Sequence, residues 1–174
     1  MFVFFIFYKI GDINMKVKIM SQDKAIQYAK NTGNKLLIIS IVSKKDRPIN
    51  FEGDNIVNIF RMFFNDLEYS VGTHNPPIRE DFTGLKDFLD NNIDNNIDEI
   101  VVHCHAGISR SSGCASAITR YLGMDDRPIW SSELYIPNKT VYKYALEELN
   151  IEINQDELIE LHELNYEAHM FTYI

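Results

Sequence analysis

The sequence predicts an α/β fold, with a central, mainly parallel sheet of about four to five strands flanked by helices. Three observations predict it. Continuous apolar runs such as 35–42 (KLLIISIV) and 99–103 (EIVVH) read as strands buried on both faces. Between such runs lie stretches with apolar residues three and four apart, the period of a helix. The two patterns alternate along the chain, and that alternation builds a parallel sheet covered by helices.

The first residues stand apart. Phe2 to Phe7 is apolar, yet too short to span a bilayer, and it lacks a basic leader and a small-residue cleavage site. Lys9 to Asn14 can be encoded by an A/T-rich stretch containing AGGAGAT, a bacterial ribosome-binding sequence just upstream of Met15. One reading therefore makes 1–14 an extension outside the domain, with translation starting at Met15. The other makes it a loosely docked N-terminal strand. Residues 15–174 have the length of a single domain with one core.

Residues 17–20 form a short strand, and Ser21 caps a helix whose apolar face is Ala25, Ile26 and Ala29. Gly33 stops that helix, and 35–42 is the second strand. A polar, turn-rich stretch over 44–54 leads to a third strand over 55–64. Gly72 and Pro76-Pro77 mark 69–77 as a loop. A helix over 78–89 places Phe82, Leu85, Phe88 and Leu89 on one side. The fourth strand, 99–103, is followed by helices over 110–122, 138–149 and 155–169, the first of them ended by Gly123.

Hydrophobic residues at 45 % and charged residues at 24 % are ordinary for a globular chain, so disorder is excluded as the general state. A net charge of −8 argues against a nucleic-acid partner, because backbone binding needs clustered Lys and Arg. No membrane partner is indicated. The only cysteines, Cys104 and Cys114, exclude a disulfide framework and fit a reducing compartment, the cytoplasm. Neither they nor the scattered histidines follow a metal-binding spacing, so no metal and no cofactor are expected.

The chemistry concentrates in Val101-Val102-His103-Cys104-His105-Ala106-Gly107-Ile108-Ser109-Arg110-Ser111. An apolar strand passes through a short loop into a helix, at the sheet edge where α/β folds bind ligands. A loop feeding a helix N-terminus aims several unpaired N–H groups at one point, which suits an anion. Gly107 allows backbone angles closed to other residues. Arg110 can return over the loop and hold two oxygens of a phosphate. The same surroundings favour the thiolate of Cys104, the nucleophilic form. A cysteine, five residues and an arginine is thus the length of chain that encircles one tetrahedral anion.

His103 to Ser111 resembles the signature loop of the protein tyrosine phosphatase superfamily: His-Cys, five residues, Arg, then Ser or Thr. The form HCHAGISRS is most similar to the small single-domain branch, with dual-specificity enzymes and small bacterial and phage phosphatases. The resemblance is sharp over 101–112 and looser over 36–149. It implies a protein-tyrosine-phosphatase-like fold and a cysteine-dependent hydrolase of phosphotyrosine, and in dual-specificity members of phosphoserine and phosphothreonine. Its partner would be a phosphorylated protein or peptide. It implies Cys104 as the nucleophile that becomes phosphocysteine, and Arg110 as the phosphate-binding group. His105, Ala106, Gly107, Ile108, Ser109 and Arg110 would supply amides to the phosphate oxygens. Ser111 would help the sulfur leave, and His103 would order the loop without touching substrate. A general acid is implied on a loop after an upstream strand. Asp66, after Phe63-Phe64-Asn65, takes that place, with Glu68 and then Asp81 as alternatives. Asn138, in a Pro-Asn pair such as relatives carry, would help order the site wall; as a residue alone it reads as a helix cap.

Two other classes remain open at this level. A phosphate-binding pseudophosphatase or interaction module of the same fold would have lost the cysteine or the arginine, and this chain keeps both. A thiol-based enzyme of the arsenate-reductase kind needs a resolving cysteine near Cys104. Cys114 lies ten residues along a helix from it, on the order of 10 Å or more, and reads as a core residue.

Overall fold

The computed structural model describes residues 6–10, 13–72, 75–94 and 96–170. Of the 1–14 segment, residues 1–5 and 11–12 lie outside that description, as do 73–74 within the 69–77 loop. Five strands form one sheet: β1 (Ile6–Ile10), β2 (Ile13–Ser21), β3 (Leu36–Val42), β4 (Ile56–Phe63) and β5 (Glu99–Cys104). Their spatial order is β1-β2-β5-β3-β4. β2, β5, β3 and β4 run parallel, and β1 pairs antiparallel with β2 at the edge.

Period-2 alternation sends each strand's side chains to two layers. Val17, Leu37, Ile39, Ile41, Ile100, Val102 and Cys104 face a large core. That core is covered by α2 (Leu85–Asn92), α3 (Arg110–Tyr121) and α5 (Lys139–Glu148), with α4 (Arg127–Trp130) and α6 (Gln155–Met170) packed outside. Met20, Leu36, Ile38 and Val101 face the opposite layer, where α1 (Gln22–Asn31) lays down Ala25 and Ala29. Among the described residues no helix is long and apolar enough to cross a membrane.

Two elements differ from the sequence expectation. The strand expected over 17–20 is β2, and it runs from Ile13 to Ser21. Lys18 interrupts its apolar pattern, but the ammonium is buried and pairs with buried Glu99 of β5 at 2.9 Å. β5 pairs with β2 from Lys16↔Glu99 to Ser21↔Cys104, and the added residues Ile13 to Met15 pair with β1. The helix expected over 78–89 is broken in two. A 3-10 turn covers Arg79–Phe82, and α2 starts only at Leu85, after Gly84 with φ 88°. The Asp81 carboxylate accepts from the Ile78 N–H at 2.9 Å, and the Gly84 N–H donates to Glu148 at 2.8 Å. Phe82, Leu85 and Leu89 still share the core because the break turns the chain without leaving it.

Ser21 caps α1 as expected, its Oγ accepting from the Lys24 N–H. Short α4 was not foreseen. It starts behind Asp126, a buried carboxylate that accepts from Ser116 and Tyr142 at 2.7 Å each and pairs with Arg120 at 3.0 Å. This network ties α3, α4 and α5 together and leaves each buried oxygen partnered, as burial of a charge requires.

Candidate active site

The chain leaves the sheet at Cys104, turns through 105–109 and enters α3 at Arg110. The turn is possible because Gly107 takes φ 75°, and because it has no Cβ: one placed there would lie 2.4 Å from the Ser21 N. The loop's carbonyls are turned outward onto neighbouring donors. His105 O accepts from the Gln22 N–H at 3.2 Å, Ile108 O from the Ile136 N–H at 3.1 Å, and Ser109 O from the Asn138 N–H at 3.2 Å. Outward carbonyls leave the amides to face the other way, and the Gly107 N–H donates to the Cys104 Sγ at 3.3 Å.

Cys104 is buried on the helix side of β5, and its Sγ lies 3.1 Å from the Ser111 Oγ on the first turn of α3. Two hydrogen-bonding groups therefore converge on the sulfur. His105 and Ala106, on the outer part of the loop, are exposed.

Arg110 is almost fully buried, 5 % exposed, and its guanidinium is held at the carboxyl ends of β3 and β4. Its Nη1 donates to Phe64 O at 3.0 Å and to the Ser43 Oγ at 3.4 Å. Its Nε is buried with no hydrogen-bond acceptor among the described residues; the nearest carboxylate oxygen, Oδ2 of Asp66, is 3.8 Å away. A buried donor without an acceptor is costly, and an oxyanion beside it removes the cost.

Asp66, just beyond β4, comes to the loop. Its Oδ1 accepts from the Ser109 Oγ at 2.8 Å and from the Asn138 Nδ2 at 3.0 Å. The side chain remains partly exposed, 39 %, beside a groove toward α6. The two alternatives lie elsewhere. Glu68 accepts from the Lys139 N–H at 3.0 Å and so caps α5. Asp81 is bound to its own 3-10 turn and pairs with Lys44 at 3.6 Å.

Asn138 joins these parts. Its Oδ1 accepts from the Val141 N–H at 3.0 Å, capping α5, while its Nδ2 holds Asp66. One amide thus caps α5 with its oxygen and holds Asp66 with its nitrogen. The carbonyl of Asn138 would lie 2.6 Å from a Cβ at residue 113, so Gly113 lets α3 and the start of α5 approach closely.

His103 points to the other face of the sheet. Its Nε2 lies 2.8 Å from the Ser40 Oγ, and its ring packs edge-on against Phe51 at 5.3 Å between centroids. Burial pushes its pKa down to about 4; the Cys104 backbone opposes this and the Arg110 charge adds to it, so the ring is neutral at pH 7. Cys114, on α3, is fully buried, and burial pushes its thiol well above the usual range, with the nearby Cys104 adding to the shift. It packs in the core.

Sequence reasoning missed several supports: Ser43 and Phe64 O behind Arg110, Ser40 behind His103, and the hydroxyl of Ser109 on Asp66. Only Gly113 carried a readable signal, a glycine inside a helical stretch, which commonly marks a close approach. No group of His, Cys, Asp and Glu suited to a metal ion occurs among the described residues.

No family model and no curated protein matches the sequence. Among solved structures, a crystal structure of DUSP15 matches with a TM-score of 0.51 and 18 % identity, over 89 % of this chain and 91 % of that one. The human tyrosine phosphatase-like serine/threonine/tyrosine-interacting protein matches with a TM-score of 0.45 and 20 % identity, over 87 % of this chain and 91 % of its own. Tk-PTP in its active form gives 0.40 and 12 %, over 87 % and 91 %. The four-strand parallel sheet, the flanking helices and the HCHAGISRS loop at the carboxyl edge of β5 give this chain the protein tyrosine phosphatase fold.

Proposed function

We propose that the chain is a cysteine-dependent phosphatase of phosphotyrosine in proteins or peptides, with phosphoserine and phosphothreonine as further substrates. The observation that carries this is the convergence at Cys104: Ser111 Oγ at 3.1 Å, the Gly107 N–H at 3.3 Å, and a buried Arg110 Nε without an acceptor on the same loop. Loop amides and the helix N-terminus stabilise an anion where one must form.

The reaction has two displacements. The Cys104 thiolate attacks phosphorus, forming S–P as the P–O bond to the substrate breaks, and the leaving oxygen takes a proton from Asp66. Water then attacks phosphocysteine, giving its proton to Asp66 and returning the thiolate, to which the Ser111 hydroxyl donates. Oδ1 of Asp66 is already occupied by two donors, so Oδ2 is the oxygen left to carry the proton. No cofactor enters the scheme. Both cysteines are unpaired, as a thiolate enzyme of a reducing compartment such as the cytoplasm requires.

The test is turnover of a phosphotyrosine peptide and of p-nitrophenyl phosphate by the parent and by Cys104→Ser. Parent turnover with a dead serine variant that still binds the peptide is expected. Full activity in Cys104→Ser would refute the assignment.

A further inference from the structure

A cavity of about 440 Å³ adjoins the anion loop on the side away from Asp66. Its walls come from Ala106, Gly107 and Ile108 of the loop, from Met20 and Tyr28 on the α1 side, and from Leu134 before α5. The volume is that of a small-ligand site, and its lining is chiefly apolar. Ile108 and Leu134 are 42 % and 49 % exposed, although both sit beside a space that would cover them. The Tyr28 hydroxyl already bonds Lys18 and Glu99.

We propose that this cavity binds a large apolar side chain, Leu or an aromatic, adjacent to the phosphorylated residue of the substrate polypeptide. The inference rests on the phosphatase reading and deepens it to a substrate class. The argument for this occupant is continuity. Ala106, Gly107 and Ile108 line the cavity and belong to the loop that the proposed function assigns to the phosphate, so a group in the cavity would lie beside a phosphate held by that loop. An extended peptide advances about 3.3–3.6 Å per residue, so one or two residues span the gap. A free apolar ligand would have no reason to sit there; a phosphopeptide anchored by its phosphate does, and it covers Ile108 and Leu134 as it docks. Lys24, exposed at the mouth, defines the competing occupant, an acidic side chain.

The experiment measures kcat/KM on phosphotyrosine peptides carrying Leu, Phe, Gly or Asp at each of the two positions on either side of the phosphotyrosine. Parent and Leu134→Glu are compared, and p-nitrophenyl phosphate turnover against Cys104→Ser is recorded first. The expected result is a preference for Leu or Phe over Gly of about ten-fold at one position, the worth of covering roughly half of such a side chain. In Leu134→Glu the Leu-to-Gly ratio should fall toward one. Turnover of p-nitrophenyl phosphate with a flat panel overturns the cavity assignment alone. So does a preference for Asp, or a Leu-to-Gly ratio unchanged by Leu134→Glu. No turnover of any substrate overturns the phosphatase reading and this inference with it.

Discussion

Asn138 offers a perturbation that separates two jobs held by one side chain. Its Oδ1 caps α5 through the Val141 N–H, and its Nδ2 donates to Asp66 Oδ1, both at 3.0 Å. Asn138→Ser keeps a good N-cap, since Ser and Asn rank alike there, but loses the amide donor. A hydrogen bond to a charged acceptor is worth about 1.5–3 kcal/mol. The Ser109 hydroxyl still holds the same oxygen at 2.8 Å, so the lower end applies. About 1.5 kcal/mol corresponds to roughly ten-fold in rate if Asp66 must be held to protonate the leaving oxygen. The assay compares kcat on a phosphotyrosine peptide, whose leaving group needs the proton, with kcat on p-nitrophenyl phosphate, whose leaving group does not. Asn138→Ser should lose about ten-fold on the peptide and roughly two-fold or less on the nitrophenyl ester. Its urea midpoint should stay near the parent's, while Asn138→Ala loses about 1 kcal/mol more with the cap. An equal fall on both substrates would place Asn138 on the anion loop instead. An unchanged peptide rate would refute the placement of the acid.

Other outcomes follow from single contacts. Ser111→Ala removes the hydroxyl 3.1 Å from the sulfur, so breakdown of phosphocysteine should become the slow step. Rapid mixing with p-nitrophenyl phosphate should then show a burst of about one equivalent, and its absence would remove Ser111 from that step. Gly107→Ala forces a Cβ against the Ser21 N and a φ of 75° on alanine, so urea unfolding should show a loss of more than about 1 kcal/mol. Gly33→Ala, with nothing within 4 Å, is the control that should not show it. His103 makes stability depend on pH. Its folded value near 4 lies below 6.5, so between these values the unfolded chain binds the extra proton. Stability is therefore full above pH 6.5 and falls toward pH 4, by about 3 kcal/mol at most. His103→Gln should flatten that slope in urea titrations, and parallel slopes would refute the burial account.

The sheet was legible because its inner strands are apolar on both faces, and 35–42 and 99–103 can be little else. The loop from Cys104 to Arg110 was legible because its residues are local: the cysteine, the turn glycine and the arginine lie within seven residues. The supports of the site were not, because they come from distant chain. Phe64 contributes a carbonyl, which every residue has, so nothing in its side chain announces the bond to Arg110. Ser40 reads as a polar interruption of a strand until His103 is seen opposite it on the same face. The break at Gly84 was hidden because Phe82, Leu85 and Leu89 keep a helical spacing across it. A periodic pattern reports which side chains are buried, and two short turns can bury the same set as one helix.

The alternation of β5 also decides which groups stand on the sulfur's side of the sheet. Adjacent strand residues point to opposite faces, so Cys104 looks toward α3 and His103 toward Ser40 and Phe51. Burial leaves that histidine neutral, so it offers Cys104 no neighbouring positive charge. What remains on the loop is one full cation, Arg110, plus oriented N–H dipoles and the start of α3. Dipoles of this kind carry no net charge and add nothing to the balance that makes the chain −8 overall. On the proposed reading, an acidic protein would hold a phosphate dianion without a basic surface, because the attraction would be built from backbone geometry and one guanidinium fixed by Phe64 and Ser43. Substrate selection, on that same reading, falls to the chiefly apolar wall beside the loop, with Lys24 at its mouth, since long-range charge would steer a phosphopeptide away from most of this surface rather than toward it.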